Sequence, residues 1–366
     1  MGTKNTEILT SSPRADMTIL GLMSGTSLDG LDLAICRFYE EHKSVRYEIV
    51  RSKTIAYSND WKEKLSGAME VSGRDFQLLN AAYGTFLGEQ AKQFIEETGQ
   101  KVDLIASHGH TVFHQPLQNY TTQIGSGAHI AAVSGCDTVC DFRSTDVALG
   151  GNGAPLVPIG DEFLFSEFDG CLNIGGIANI SFNHSGKRLA YDICIANMGL
   201  NYLTQKISLS YDDEGRVARS GKIDETLLKK LSAFSYFSQE GAKSIGREWF
   251  ETEFRPLLDS HLQVNDLLAT FTEHIAEKIG RDIKVRRLKR VLVTGGGALN
   301  KFLIERLIFY SGAEIVIPSK QIIEFKEALI FAFLGYLRAK DRINVLSSVT
   351  GSRSDSVSGA IYRGTI

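Results

Sequence analysis

At 366 residues the chain exceeds the ~250–300 at which a single hydrophobic core stops growing, so two domains are expected. It is 43% hydrophobic and 23% charged with a net charge of −3, a balance that offers no basic surface to nucleic acid or to an anionic membrane. No run of ~18 apolar residues is present, which excludes a membrane-spanning helix.

Met1 to Asp16 is polar and rich in Ser and Thr, without the apolar core of a signal peptide. We expect a disordered leader or a non-native remnant, with Met17 as the natural start. The five cysteines (Cys36, Cys136, Cys140, Cys171, Cys194) are odd in number and form no C-x-x-C pair, which points to reduced thiols in a cytoplasm.

Ile19 to Ile35 reads as strand, turn and strand, the turn built on Gly25, Thr26, Ser27 and Gly30. Small residues there let backbone N–H groups approach an anion, and Thr26 and Ser27 add hydroxyls. Asp29 and Asp32 add carboxylates suited to a metal ion, a water or a sugar hydroxyl. A plain tight hairpin accounts for the same residues equally well. Tyr47 to Tyr57 reads as a third strand, Trp61 to Val71 as a short helix, and Arg74 to Thr98 as a long helix stopped by Gly99. Asp103 to Ser107 is a short buried strand leading into His108-Gly-His-Thr111. A helix over Gly127 to Ser134 and a strand over Thr138 to Phe142 come next. Asp141 to Pro158 is dense in Gly and Pro yet alternates Asp141, Arg143 and Asp146 with apolar residues, so it reads as a structured functional loop near a domain boundary.

The second half repeats this logic. Gly170 to Phe182 is strand, glycine turn and strand, and Arg188 to Asp192 is a third strand ending in Ile193-Cys-Ile-Ala-Asn197. Helices are expected at Met198 to Ser208, Ile223 to Phe234, Ser244 to Leu258 and Val264 to Val285. Arg290 to Asn300 is a strand meeting a glycine turn that opens a helix. Glu314 to Ile317 is a strand and Phe325 to Lys340 a helix.

Three glycine turns therefore leave strands, at Gly25 to Gly30, Asn173 to Asn179 and Gly295 to Asn300. Three such turns in one chain, two of them at the heads of matching meanders, point to a nucleotide site, although none is a P-loop or a dinucleotide fingerprint. His108-x-His110, with His114 four further on, has a spacing that could also hold a metal ion.

Gly21-Leu-Met-Ser-Gly-Thr-Ser-Leu-Asp-Gly30, Asp141-Phe-Arg143 with Gly153-Ala-Pro-Leu-Val-Pro158, Asn173-Ile-Gly-Gly-Ile-Ala-Asn179, Thr294-Gly-Gly-Gly-Ala-Leu-Asn300, Glu327-Ala-Leu and Ser348-Val-Thr-Gly351 closely resemble the anhydro-N-acetylmuramic acid kinases, over about Met17 to Ile366. The resemblance implies an α/β fold of two ribonuclease-H-like (actin-like ATPase) domains, with mixed sheets flanked by helices and a cleft between them. Residues 17–150 would form one domain, rejoined by the tail 343–366, and residues 151–342 the other. It implies an ATP- and Mg²⁺-dependent reaction on 1,6-anhydro-N-acetylmuramic acid, giving N-acetylmuramate 6-phosphate and ADP in cytoplasmic cell-wall recycling. It also suggests a homodimer.

Carried onto this chain, the resemblance puts phosphate and nucleotide contacts at Gly25, Thr26, Ser27, Asp29, Gly30, Gly175, Gly176, Asn179, Gly295, Gly296, Gly297 and Asn300, with Mg²⁺ near Asp29. It puts sugar contacts at His108, Arg143, Asp146, Asn197 and Glu327. Asp192, ending a strand just after the second hairpin, is the candidate general base. The chain departs from the family where Asp192-Ile-Cys-Ile-Ala-Asn197 replaces Asp-Thr-Gly-Pro-Gly-Asn, and where His110 replaces an amide. Two other readings are a non-catalytic sugar sensor on a kinase scaffold and a metal-dependent hydrolase using His108 and His110. The short polar leader is not expected to hold the helix-turn-helix that such sensors carry.

Overall fold

Strand β1 (Met17–Ser24) turns back antiparallel into β2 (Gly30–Glu41), which pairs with β3 (Ser44–Ala56). Along β2, Leu31, Leu33 and Ile35 pack into one buried cluster, while Ala34, Cys36 and Phe38 pack into another. Both faces of the strand are thus covered, which explains why its middle reads as continuously apolar. This computed structural model describes residues 16–25, 28–41, 44–239 and 243–365. The expected leader, up to residue 15, and Thr26 and Ser27 lie outside the described residues.

The first sheet is completed by β4 (Leu104–Ser107) and β7 (Thr138–Cys140), both parallel to β1, in the order β3-β2-β1-β4-β7. A side hairpin of β5 (His110–Gln115) and β6 (Tyr120–Ile124) projects between them in sequence. The tail adds β13 (Ala360–Tyr362) antiparallel to β7, so the chain's end joins the first sheet. Helix Gly73–Thr98 supports one face; Ser72 caps its start and Gly99, at φ 62°, ends it in the left-handed conformation that glycine adopts without penalty.

The second sheet repeats this plan. Strands β8 (Gly170–Ile174), β9 (Ile177–His184) and β10 (Lys187–Ile195) form an antiparallel meander, and β11 (Arg290–Thr294) and β12 (Glu314–Val316) extend it in parallel. Its order, β10-β9-β8-β11-β12, matches that of the first sheet. Two such sheets, flanked by helices and facing each other across a cleft, define the ribonuclease-H-like, actin-like ATPase architecture expected from the motifs.

Helix Lys320–Ala339 packs against β1, β2 and β4. Ser319 caps its start, accepting from the Ile322 amide. Its backbone approaches β1 so closely that a Cβ on Gly21 would lie 2.0 Å from the Ala328 carbonyl oxygen. Helix Pro158–Leu164 touches this helix and strands of both sheets, so it bridges the two halves.

Two local expectations need correction. β10 does not stop at Asp192: Ile193, Cys194 and Ile195 are buried and continue the strand after a bulge between Asp192 and Cys194. Apolar residues at the former Thr-Gly-Pro-Gly positions favour burial in the sheet over an open loop. Nor is Ser244 to Leu258 one helix. Residues 244–246 are not helical; the chain then makes a short turn at Arg247–Trp249, a π-helical stretch at Phe250–Phe254 and a last turn at Arg255–Leu258. Pro256 has no N–H for an i→i−4 bond, which disrupts regular helix there.

Because the Gly21 contact is with backbone, it cannot be relieved by a side-chain rotation. Gly21→Ala should cost about 3 kcal/mol in denaturant unfolding, or prevent soluble expression; a variant as stable as the parent would contradict this packing.

Candidate active site

A cavity of about 810 Å³ opens between the two sheets. One wall is a row of polar residues across four neighbouring strands: Thr294 on β11, Asn173 on β8, Asn179 on β9 and Asp192 on β10. Register pairs each with the next, and all four line the cavity. Three interstrand steps of about 4.8 Å make the row roughly 14 Å long. The opposite wall is formed by Asp32 from β2 and by Glu324, Lys326 and Glu327 from helix Lys320–Ala339, while His114 and Pro116 reach in from the side hairpin.

The first hairpin is held at its root. Ser24 is buried; its hydroxyl receives a bond from Tyr57 (2.8 Å) and sits 3.0 Å from His110 Nδ1. The Tyr57 hydrogen points at Ser24, so one Ser24 hydroxyl links the strand end to both Tyr57 and His110. The Tyr57 hydroxyl also lies 2.6 Å from that of Tyr83, anchoring the turn to helix Gly73–Thr98. Gly25 comes directly after Ser24. Gly30 has a packing role: a Cβ would meet the Ile55 carbonyl oxygen at 2.6 Å. Asp29 is exposed and does not line the cavity, whereas Asp32 does. Burial pushes the Asp32 carboxyl up against the opposing bond from Thr54 (2.6 Å), and the charges of Asp29 and Glu324 add to the rise. Both faces of β2 are apolar, so no period in the sequence singled out Asp32 over Asp29.

The second hairpin and the third turn interlock. Gly175 accepts from the Asn197 amide (3.0 Å), and Gly176 from the amides of Ala196 (2.9 Å) and Met198 (3.1 Å). The Asn197 side chain donates to the Ile174 carbonyl (3.0 Å), so it ties the hairpin to the following helix and is not among the cavity-lining groups. Gly295, at φ 80°, lines the cavity beside Asn173, where a Cβ would lie 2.6 Å from the Asn173 amide oxygen. Gly296 opens a single 3-10 turn, Gly296–Leu299, and Gly297 packs against Ile174. Asn300 caps helix Lys301–Ser311, accepting from the Leu303 amide at 3.0 Å. The expectation that the turn opens an α-helix directly is therefore corrected: that helix begins one turn later, and Asn300 closes its end.

Arg143 is half-buried and not among the cavity-lining groups, but its charge bears on Glu327, which is. It donates to the Gly153 carbonyl (2.7 Å) and, through Nε (3.2 Å) and Nη2 (2.9 Å), to His108 Nε2. His108 must then carry its proton on Nδ1, which points at the Ser24 carbonyl (3.3 Å). Burial, with the Arg143 charge, holds the His108 imidazole down to about 3, so it is neutral. Burial also lowers Arg143 to about 10, still cationic, and it retains N–H groups for a further acceptor. Glu327 faces the cavity, where its side chain meets solvent but is crowded by protein. That crowding pushes its carboxyl up, opposed by Arg143 and reinforced by Asp32.

Asp146 is not a cavity group. It is fully buried and accepts from the Gly153 amide (2.7 Å) and the Thr350 hydroxyl (2.7 Å), fixing the loop that carries Arg143. The histidine cluster likewise gives no metal site. Both His108 nitrogens are engaged, one by a guanidinium that a cation would repel. Among the described residues no group of three or more His, Cys, Asp and Glu side chains is arranged to hold a metal.

Asp192 lies at the β10 bulge. Burial raises its carboxyl above the usual range, while the Ile245 amide (2.9 Å) and the Ser244 hydroxyl (3.2 Å) oppose the rise. Reading the sequence did not select Lys326, Asp161 or Ser244, and it raised His114 only as a member of the histidine cluster. Lys326 pairs with Asp161 at 2.7 Å, both buried; burial disfavours the ammonium, but the carboxylate outweighs it and holds Lys326 up.

Two sheets of like topology with a polar cleft between them define an actin-like ATPase scaffold. The profile of the anhydro-N-acetylmuramic acid kinases matches residues 17–364, and the chain belongs to that family. Curated relatives bearing the name anhydro-N-acetylmuramic acid kinase include one from Synechococcus elongatus, 34% identical over 95% of this chain and 100% of the relative. One from Xanthomonas oryzae is 36% identical over 94% and 96%. One from Sulfurimonas denitrificans is 33% identical over 94% and 98%.

A neutral buried His108 makes stability sensitive to acid. Its folded value near 3 lies below the unfolded 6.5, so below about pH 6.5 the unfolded chain binds a proton that the native state refuses. Stability should fall as pH drops from there toward 3. In denaturant unfolding, His108→Asn should flatten this slope by up to about 1.4 kcal/mol per pH unit; identical slopes would show that His108 does not bear the load.

Proposed function

We propose that the protein is an ATP-dependent kinase that opens 1,6-anhydro-N-acetylmuramic acid with water and phosphorylates O6, in the cytoplasmic recycling of cell-wall amino sugar. The observation that carries this is one cleft in which Asp192, from one sheet, faces Asp32 and Glu327, from the other, between two glycine hairpins. A polar row about as long as a triphosphate with its acceptor would run along one wall.

In this reading Asp192 takes a proton from water as the water oxygen bonds to the anomeric carbon. The bond from that carbon to O6 breaks, and O6 attacks the γ-phosphorus of ATP. The bond from the γ-phosphorus to its bridging oxygen breaks, and ADP leaves. Water, sugar and ATP are consumed; sugar 6-phosphate, ADP and a proton result. Phosphoryl transfer needs mainly positioning and donors for the developing charge. Backbone N–H groups around Gly25, Gly175 and Gly295, with Asn173 and Asn179, are suited to that work. Arg143, locked by His108 and Gly153, would direct its remaining N–H groups at the sugar's lactyl carboxylate. Glu327 beside it would accept from a sugar hydroxyl.

Asp32 and Glu324 fit a magnesium ion: their carboxylates are hard oxygen donors, and the like charges that push Asp32 up would be relieved by a cation. Such an ion, when bound, neutralises phosphate charge. We further propose that the two sheets belong to two domains, bridged by helix Pro158–Leu164.

The test is ATP turnover with the anhydro sugar. Asp192→Asn should lose roughly 10²-fold or more in kcat, and Arg143→Ala should mainly raise the sugar's KM. A parent protein that binds sugar without any ADP release would favour the sensor reading instead.

A further inference from the structure

Asp192 is gripped by one short segment on four sides. Its amide donates to the Lys243 carbonyl (3.0 Å), and its own carbonyl accepts from the Tyr236 hydroxyl (2.7 Å). Its Oδ2 accepts from the Ile245 amide (2.9 Å) and from the Ser244 hydroxyl (3.2 Å). Among the described residues both side-chain bonds fall on that same oxygen. The β10 bulge makes this grip feasible, because it breaks the pairing with β9 right after Asp192 and frees backbone groups for another partner. Residues 244–246 stay non-helical where helix was expected, and their donors are aimed at the bulge.

We propose that Ser244 is a positioning residue for the reaction: with the Ile245 amide it holds Oδ2 of Asp192, so that Oδ1 alone takes the proton from water. The proposal rests on the reading of Asp192 as the base. A carboxylate free to rotate offers either oxygen in many orientations, whereas one oxygen fixed by two donors leaves the other on a defined line into the cleft. The same donors favour the ionised form, so the strap also offsets the rise that burial imposes.

The charged surroundings do not supply this control. Lys243 points away from the carboxylate, donating to the carbonyls of Tyr236 and Gln239 (both 3.2 Å) over the rings of Tyr236 and Tyr191. On helix Val264–Val285, Asp282 accepts from Tyr191 (2.6 Å) and lies 3.9 Å from Arg286, while Lys278 lies over the Phe237 ring. The Cys194 thiol and the Tyr236 phenol are both pushed up by burial and stay neutral. Asn179, the strand neighbour on β9, is uncharged. What distinguishes the ionised from the neutral base here is hydrogen bonding by the strap.

The experiment is the pH dependence of kcat and KM for Ser244→Ala, Ser244→Thr and Asp192→Asn, with thermal unfolding of each. Ser244→Ala should lower kcat about tenfold, leave both KM values within twofold, and move the acidic limb of the kcat profile up by half a pH unit or more. Ser244→Thr, which keeps the hydroxyl, should restore rate and midpoint. A Ser244→Ala profile that overlays the parent's overturns the proposal, as does a rate loss with an unmoved midpoint and a matching drop in thermal stability. If Asp192→Asn is inactive while Ser244→Ala behaves as the parent, only the strap falls. If Asp192→Asn turns over normally, the base assignment falls and the strap with it.

Discussion

The cleft is organised around a buried cluster of charge centred on Asp161. Its carboxylate receives Lys326 from the helix that packs on the first sheet and the Ser181 hydroxyl from β9. Arg188 from β10 stands 3.9 Å away and donates to Ser181 at 2.8 Å. These charges are almost wholly inaccessible, with Asp161 3% exposed, Arg188 4% and Lys326 6%. Burying them is costly unless each is paired, and removing one partner would strand the rest in a medium of low dielectric constant. The cluster therefore tolerates few relative placements of the helix and the second sheet. Since Glu327 is the next residue after Lys326, the same constraint sets where that carboxylate stands with respect to Asp192.

The glycine turns depend on that arrangement. Their glycines serve different purposes although they look alike in sequence. Gly30 admits β3, Gly297 admits Ile174, and Gly295 needs a left-handed backbone beside Asn173. Gly175 and Gly176 offer carbonyls that fasten the helix after β10. Only some of these positions face the cavity; the others make the facing ones approach closely enough to matter.

Two carboxylates from opposite walls, Asp192 and Glu327, are both pushed up by burial, yet their surroundings differ. Glu327 is steadied by a cation, Arg143, whereas Asp192 is steadied by neutral donors alone. A base whose charge is not matched by a fixed cation keeps its affinity for a proton. A carboxylate beside a guanidinium remains an acceptor of hydrogen bonds and is better suited to holding a substrate. The chemistry of the two groups thus derives from their partners, not from their residue type.

Much of the fold was legible without coordinates. The stop at Gly99 and the apolar runs of Phe325 to Lys340 and Val264 to Val285 are local signals; the last matches its helix end for end, while the former helix begins five residues earlier, at the Ser319 cap. The motif resemblance supplied the family. Three kinds of information were not local. Asp32 rather than Asp29 faces the cleft, because the face of β2 that looks inward is decided by the helix laid against it. Asp146 and Asn300 carry site-like residue types but are spent on internal bonds, to Thr350 and Leu303, whose partners are known only once the chain is packed. The bulge at Asp192 and the extended Ser244 segment arise together, since each supplies what the other lacks in hydrogen bonds. Sequence determined which residues could do chemistry and which elements would carry them; tertiary structure alone decided which polar groups are already satisfied and which are left to meet a substrate.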